Sequence, residues 1–333
     1  MKITAGLGSI EEYIPFMNAG ADEFFCGYVP YFWTKKYGTV MPLNRREVLN
    51  YNVQLGSYSE LEILSAMIRK YKKPVHLTFN SLYYIPEQYP EIAEIIQRCM
   101  LLGFRSYIVA DPALIVYLRS QNINCDIHLS GETGEINSCM VEALQKLKLK
   151  RVIFHRKNSF EDMEAVIQAE KKAGGERAKT EFEAFVLNEM CQFTGAFCNS
   201  LHCDEMGYLC RVPYHLGAIR TGEKIPQKVI KLQEAQEEKE VVYDETGYLC
   251  GESGCGLCAL YRLLKAGITH MKLVGRGNYT EHMEKDIRNL KRARDILKSA
   301  HENAIADTEK IFQQNMKNTI FPYGCSGNCY YNL

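Results

Sequence analysis

Thirteen cysteines occur in a chain of 333 residues, and nine of them fall between Cys191 and Cys329. The nine form three clumps: Cys191, Cys198, Cys203 and Cys210; then Cys250, Cys255 and Cys258; then Cys325 and Cys329. A deprotonated sulfur is a strong ligand for soft metals, so thiols at such spacing point to a metal. The Cys-x4-Cys-x2-Cys run at 250, 255 and 258 matches one ferredoxin arrangement, in a glycine-rich loop that lets backbone N–H groups approach cluster sulfides. Four thiolates suit zinc as well, so both metals stand at this point. Cysteine is also a small buried hydrophobe. Cys26, Cys99, Cys125 and Cys139, scattered through apolar or helical surroundings, read as ordinary structural residues.

These ligands need a scaffold. Short β-branched or aromatic runs at 2–7, 23–28, 75–80, 106–110, 127–130, 152–155, 181–187 and 271–274 read as eight strands. Amphipathic patterns at 59–71, 89–102, 134–147 and 159–173 read as helices between them. Gly20 and Gly267 stand where a helix should end. Alternating βα units predict a (β/α)8 TIM-type barrel, with its chemistry at the C-terminal ends of the strands. A doubly wound sheet would need a third glycine in Gly6-Leu7-Gly8-Ser9, which lacks it.

Two stretches interrupt the repeat. Residues 29–58, rich in Tyr, Pro and Asn, read as a long loop. Residues 188–257 form a cysteine-rich insertion between strands seven and eight, so the chain divides into 1–187, 188–257 and 258–333. After Arg276 one long charged helix, 279–314, and a cysteine-bearing tail are predicted.

Polar residues at strand ends face a barrel's pocket, which singles out Asn80, Asp111, His128, Glu132, Arg156 and Lys272. His128 with Glu132 makes a candidate acid/base pair, and Arg156 a candidate clamp for a carboxylate. His128 reads equally well as a satisfied barrel histidine, and Asp111-Pro112 better as a helix cap than as a catalytic group. The 21 tyrosines could line a pocket for an aromatic or peptide substrate. No Gly-x-Ser-x-Gly and no His-Glu-x-x-His occurs, which weakens a hydrolase reading.

Lys+Arg and Asp+Glu both number 40, so the net charge is zero and gives no broad electrostatic footprint for nucleic acid, which leaves room only for a local basic patch. With no signal peptide and no long apolar run, the expectation is a cytoplasmic protein with no membrane contact.

The order of several short motifs resembles peptidase family U32, the collagenase-like peptidases. Glu183-Ala-Phe185 precedes Cys191, a glycine-containing stretch follows, and Cys198 comes seven residues on. Gly20-Ala-Asp22, Leu77-Thr-Phe-Asn80, Ala110-Asp-Pro112, Ile127-His-Leu-Ser130, Asn137, Arg156, Gly256-Leu-Cys258 and Lys272-Leu-Val-Gly-Arg276 keep the family's order along nearly the whole chain. The resemblance implies a barrel with one 4Fe–4S cluster on Cys191, Cys198, Cys210 and Cys258. It also implies oxygen-independent hydroxylation of the kind some members support on quinone precursors or RNA bases.

The chain reads as a divergent member. Asn188-Glu189 stands where the family has Gly-Ala or Gly-Ser, Gly195 sits one place early, and Ser130-Gly131-Glu132 replaces Ser-Thr-Gln. Cys203, Cys250, Cys255, Cys325 and Cys329 have no family counterpart and could hold a second cluster, a zinc ion or a terminal disulfide. The resulting expectation is an iron–sulfur oxidoreductase acting on a small-molecule substrate. A peptide hydrolase is the alternative, and a non-catalytic subunit carrying the cluster for a protein partner is the third reading.

Overall fold

Eight strand-forming runs close on one another. They are β1 (Lys2–Leu7), β2 (Glu23–Tyr28), β4 (Val75–Phe79), β5 (Ser106–Val109), β6 (Asp126–Leu129), β7 (Leu149–Phe154), β8 (Glu181–Leu187) and β9 (His270–Leu273). Each pairs in parallel with the next, and β9 returns to β1 with Lys2 opposite His270. A closed sheet of eight parallel strands with helical returns is a (β/α)8 barrel, as the sequence predicts. The structure, a computed structural model, describes residues 1–38, 40–46, 53–174, 180–191, 198, 242–302 and 307–331.

Helices α1 (Tyr13–Ala19), α3 (Tyr58–Tyr71), α4 (Gln88–Leu101), α5 (Pro112–Ser120), α6 (Ser138–Leu144), α7 (Phe160–Gly174), α8 (Leu260–Ala266) and α9 (Thr280–Glu302) follow successive barrel strands. Gly20 and Gly267 end α1 and α8 with φ of +123° and +103°, which a side chain disfavours.

Three sequence expectations change. Residues 29–58 are not one loop: they contain α2 (Tyr31–Tyr37) and β3 (Gln54–Leu55), a two-residue strand beside the end of β2. Burial of Trp33, its ring tilted against that of Tyr37, holds α2 in a segment whose composition reads as loop. Helix α6 starts at Ser138 rather than 134, because the Asn137 side chain caps it by accepting from the Met140 N–H at 3.0 Å. The single helix predicted for 279–314 is two, α9 and α10 (Thr308–Ile320), and Asp307 before α10 has a left-handed φ of +72°.

Side chains alternate along each strand, so the barrel has two separate apolar clusters. The larger packs the outer strand faces (Ile3, Ala5, Phe24, Cys26, Leu77, Val109, Leu129, Phe154, Leu273) against the helices. Cys99 and Cys125 are buried in this cluster too, while Cys139 is exposed. The smaller cluster, Phe25, Ile108, Ile153, Phe185 and Val274, fills the interior as one layer.

Beneath it lies a charged layer two residues earlier on β2, β7, β8 and β9: Glu23, Arg151, Glu183 and Lys272. Arg151 donates to Glu23 and, at 2.7 Å, to both Glu181 and Glu183; it also lies 3.0 Å from the His270 ring. Lys272 donates to Glu183 at 2.8 Å, and Thr4 to Glu23 at 2.8 Å. Burial alone would raise the Glu23 and Glu183 carboxyls. Hydrogen bonds from His270, His76 and Arg151 outweigh it at Glu23, and the Lys272 and Arg151 charges outweigh it at Glu183, so both sit below the usual range.

Candidate functional site

The β2, β4, β6, β7, β8 and β9 ends open onto a pocket of about 520 Å3. Its floor is the apolar interior layer, with Thr78 and Ser130 between the rings. Its walls carry five cationic side chains, Arg45, Arg46, Arg156, Lys272 and Arg276, against the carboxylates Glu132 and Glu189. Two thiols, Cys191 and Cys198, complete the lining.

Arg156 follows β7 and is 6% exposed. Its guanidinium carbon lies over Phe185, 3.9 Å from the ring centroid, and 5.7 Å from the Tyr330 centroid, while its Nε has no hydrogen-bond partner. Lys272 points up from the charged layer with its ammonium 3.8 Å from the Phe25 centroid. Burial lowers its pKa, and Glu183 opposes the shift. Arg276 reaches the pocket because Gly27 has no side chain: a Cβ there would meet an Arg276 Nη at 2.5 Å. Its guanidinium donates to the Val53 carbonyl at 3.1 Å.

Asn80 and Glu132 both line the pocket and both engage Arg45. The Asn80 Oδ1 accepts from the Arg45 N–H at 3.1 Å, and Glu132 lies 3.5 Å from the Arg45 guanidinium. His128 stands one layer lower, two residues before the pocket-lining Ser130, with its ring 4.5 Å from that of His76. The turn after β6 lifts Glu132 to the mouth, so His128 and Glu132 stand in different layers rather than as the pair the sequence predicts. Burial, then the neighbouring His76 and Arg151, push the His128 pKa well below its ordinary value and keep the ring neutral. Asp111 is the cap that Pro112 suggests: it accepts from the Ala113 N–H at 2.8 Å and from the Tyr89 hydroxyl at 3.0 Å.

At the end of β8 the chain turns through Asn188 and Glu189, with φ of +64° and +61°. Asparagine tolerates a left-handed backbone, and the Asn188 side chain donates to Asp286 at 2.7 Å and to the Val274 carbonyl at 3.4 Å. Glu189 ion-pairs with Arg46 across the mouth. The turn brings Cys191 to the pocket wall.

Of the ligands implied by the resemblance, Cys191 and Cys198 share the pocket, and Cys210, like Cys203, lies outside the described residues. Cys258 instead lines a second, smaller cavity with Cys255, Cys325 and Cys329. Cys250 is buried beside Tyr248. Among the described residues no three Cys, His, Asp or Glu side chains converge on one point as metal ligands do.

Arg45, Arg46, Glu189 and Arg276 are pocket residues that the list of strand-end candidates omits. Arg45 and Arg46 sit in the stretch read as a loop, and their adjacency beyond a strand C-terminus is the signal that could have found them. Arg276 carried one in the Lys272–Arg276 motif.

Clustered cations and thiols at the C-terminal ends of eight parallel strands define a (β/α)8-barrel protein with its site in the usual place for that fold. The chain belongs to peptidase family U32, whose family model matches residues 8–330. The solved structure of the U32 peptidase Mk0906 is similar at 14% identity and a TM-score of 0.40, over 56% of this chain and 68% of that one. A 3-hexulose-6-phosphate synthase structure is similar at 12% identity and a TM-score of 0.37, over 87% of this chain and 99% of that one. No curated protein matches the chain at a significant level. Among the described residues no helix is long and apolar enough to cross a membrane.

Proposed function

We propose that the chain is an iron–sulfur-dependent enzyme that modifies a small anionic organic substrate in the barrel pocket by redox chemistry of the oxygen-independent hydroxylation type. The observation that carries this is the meeting of Cys191 and Cys198 with an excess of cationic side chains in one pocket of about 520 Å3, a size suited to a small molecule. Two pocket-lining thiols near a buried guanidinium suit an anionic cluster by donor type and charge. Cys191 and Cys198 would hold it, with Cys210 a further ligand from the resemblance. When bound, such a cluster supplies or accepts single electrons.

The remaining steps belong to the chain. Arg156, packed over Phe185, orients a carboxylate through its guanidinium. Phe25 and Phe185 give an apolar floor for a ring, and Arg45 with Asn80 and Glu132 closes one wall. The tests are anaerobic purification, iron and acid-labile sulfide analysis and a visible spectrum. Equal iron and sulfide, both lost in Cys191→Ala and in Cys198→Ala, is the expected result. A colourless protein without iron would return the reading to a hydrolase.

The peptidase alternative finds its favouring observation in Cys191, whose thiol lies within the electrostatic reach of Arg156, a cation that promotes a thiolate nucleophile. Metal-independent cleavage of peptides, abolished by Cys191→Ala, would establish it. Activity that emerges only with a second chain added would mark a cluster-carrying subunit.

A further inference from the structure

Of the buried charges Glu23, Arg151, Glu183 and Lys272, only Lys272 also lines the pocket. Strand register sets it beside Phe185 of β8, and its ammonium rises between two aromatic rings of the pocket floor. It lies 3.8 Å from the Phe25 centroid and 5.9 Å from the Phe185 centroid. Each ring is shared with an arginine. The Arg276 guanidinium carbon is 5.9 Å from the Phe25 centroid, and that of Arg156 is 3.9 Å from the Phe185 centroid. Glu183 accepts from the amine at 2.8 Å. Lys272 is 5% exposed, so the amine meets the pocket but little bulk water.

We infer that Lys272 captures its substrate as a covalent iminium, the substrate being a small aldehyde or ketone whose carboxylate docks on Arg156, a reading that rests on the pocket holding a small anion and not on the cluster. An amine becomes a nucleophile toward a carbonyl carbon where an apolar pocket or neighbouring cations disfavour its charge. Both conditions hold at Lys272. Burial lowers its pKa most, Glu183 opposes the shift, and the charge of Arg151 adds to the lowering.

In this step the amine nitrogen bonds to the carbonyl carbon and the carbonyl oxygen leaves as water. That water carries off two of the three ammonium protons, and a C=N bond with one N–H remains. The charge is the same before and after, so Glu183 faces a cation throughout, and no oxidant or reductant enters. One cation must hold the carboxylate while the amine reaches the carbonyl carbon. Arg156 and Lys272, 3.9 and 5.9 Å from the centroid of one ring, are placed for those two tasks. The Arg156 Nε lacks a hydrogen-bond partner, which a bound carboxylate would supply. The resulting iminium draws electrons from the neighbouring carbon and so activates the bound molecule for a later step.

The test is reductive trapping on the full-length protein, purified anaerobically, with glyoxylate and sodium cyanoborohydride, read by peptide mapping in a mass spectrometer. Trapping turns a captured lysine into carboxymethyl-lysine. The expected result is labelling of Lys272 on the order of tenfold above that of any surface lysine. Excess benzoate, which occupies Arg156, should suppress labelling of Lys272 about tenfold and leave the surface lysines unchanged. Arg156→Ala should slow it by a similar factor, and the benzoate competition makes the same test in the parent if that variant fails to fold. Labelling of Lys272 no greater than that of surface lysines, in a parent that binds benzoate, would overturn the inference and leave the anion pocket standing. Labelling that neither benzoate nor Arg156→Ala alters would also overturn it, by separating the amine from the carboxylate site. A parent that neither binds benzoate nor labels at Lys272 would remove the anion pocket as well. Labelling of Lys272 in a protein without iron would support the inference and remove only the cluster reading.

Discussion

Arg151, Glu23, Glu183 and Lys272 are closed off from water inside the barrel, so each charge depends on its partners. Removing one charge of such a network leaves the others buried and uncompensated. Glu183→Gln should therefore lower unfolding free energy by about 3–5 kcal/mol, read from urea denaturation. His155 offers a pH test. Burial lowers its pKa from 6.5 to about 4, and its side chain is fully buried. Between those values the unfolded chain holds a proton that the folded chain does not, so stability falls as pH drops below 6.5. Between pH 7 and 5 the loss from this residue is about 2 kcal/mol, and His155→Gln should show that much less pH dependence by urea denaturation. The depressed carboxyls of Glu23 and Glu183 contribute fully above the unfolded value of about 4.3 and lose their contribution only at lower pH, outside this window. At this scale the sequence marks His128, Arg156 and Lys272 as barrel-facing residues but not their layer. Depth follows from strand register, which no local pattern contains.

The elements that place the thiols are the left-handed turn after β8, the 253–258 segment and the tail. The Met190 N–H donates to the Ser253 carbonyl at 2.6 Å and the Asn188 N–H to the Gly254 carbonyl at 2.9 Å, so the three move as one unit. Gly254→Ala, with its Cβ forced against Tyr330, should loosen that unit. Hydrogen–deuterium exchange at 188–190 and 325–331 is expected to rise on the order of tenfold, the equivalent of about one hydrogen bond, with α3 unchanged. Strand positions were legible because both faces of a barrel strand are buried, leaving continuous apolar runs with period-two polar interruptions. Helix α2 was not, since the burial of Trp33 overrides a loop-like composition. The division into α9 and α10 was hidden as well, because charged helical periodicity continues on both sides of the break.

Over the whole molecule the net charge is zero, yet the pocket gathers five cations against two carboxylates. Charges far apart in the chain are focused by the fold into one low-dielectric cleft. The parent should accordingly bind benzoate in preference to neutral benzamide by titration calorimetry. Arg156→Ala should erase that preference, at least tenfold in affinity, for a charge-assisted bond of about 1.5–3 kcal/mol. Arg156→Lys should restore it only in part, because an ammonium lacks the planar fork that binds a carboxylate in two places.

The amino-acid sequence alone determined the eight strands, the parallel barrel and the family. These are properties of periodicity, composition and motif order, which are local along the chain. It left open which cysteines belong together, because Cys258 is 67 residues from Cys191 and also 67 from Cys325. Only the tertiary structure decided that grouping. The backbone pairing of Cys255 with Asn328 and Tyr330 draws the tail cysteines to Cys258, while the turn after β8 carries Cys191 to the pocket. Sequence distance is silent on which of two equally remote thiols a closed sheet will bring within reach.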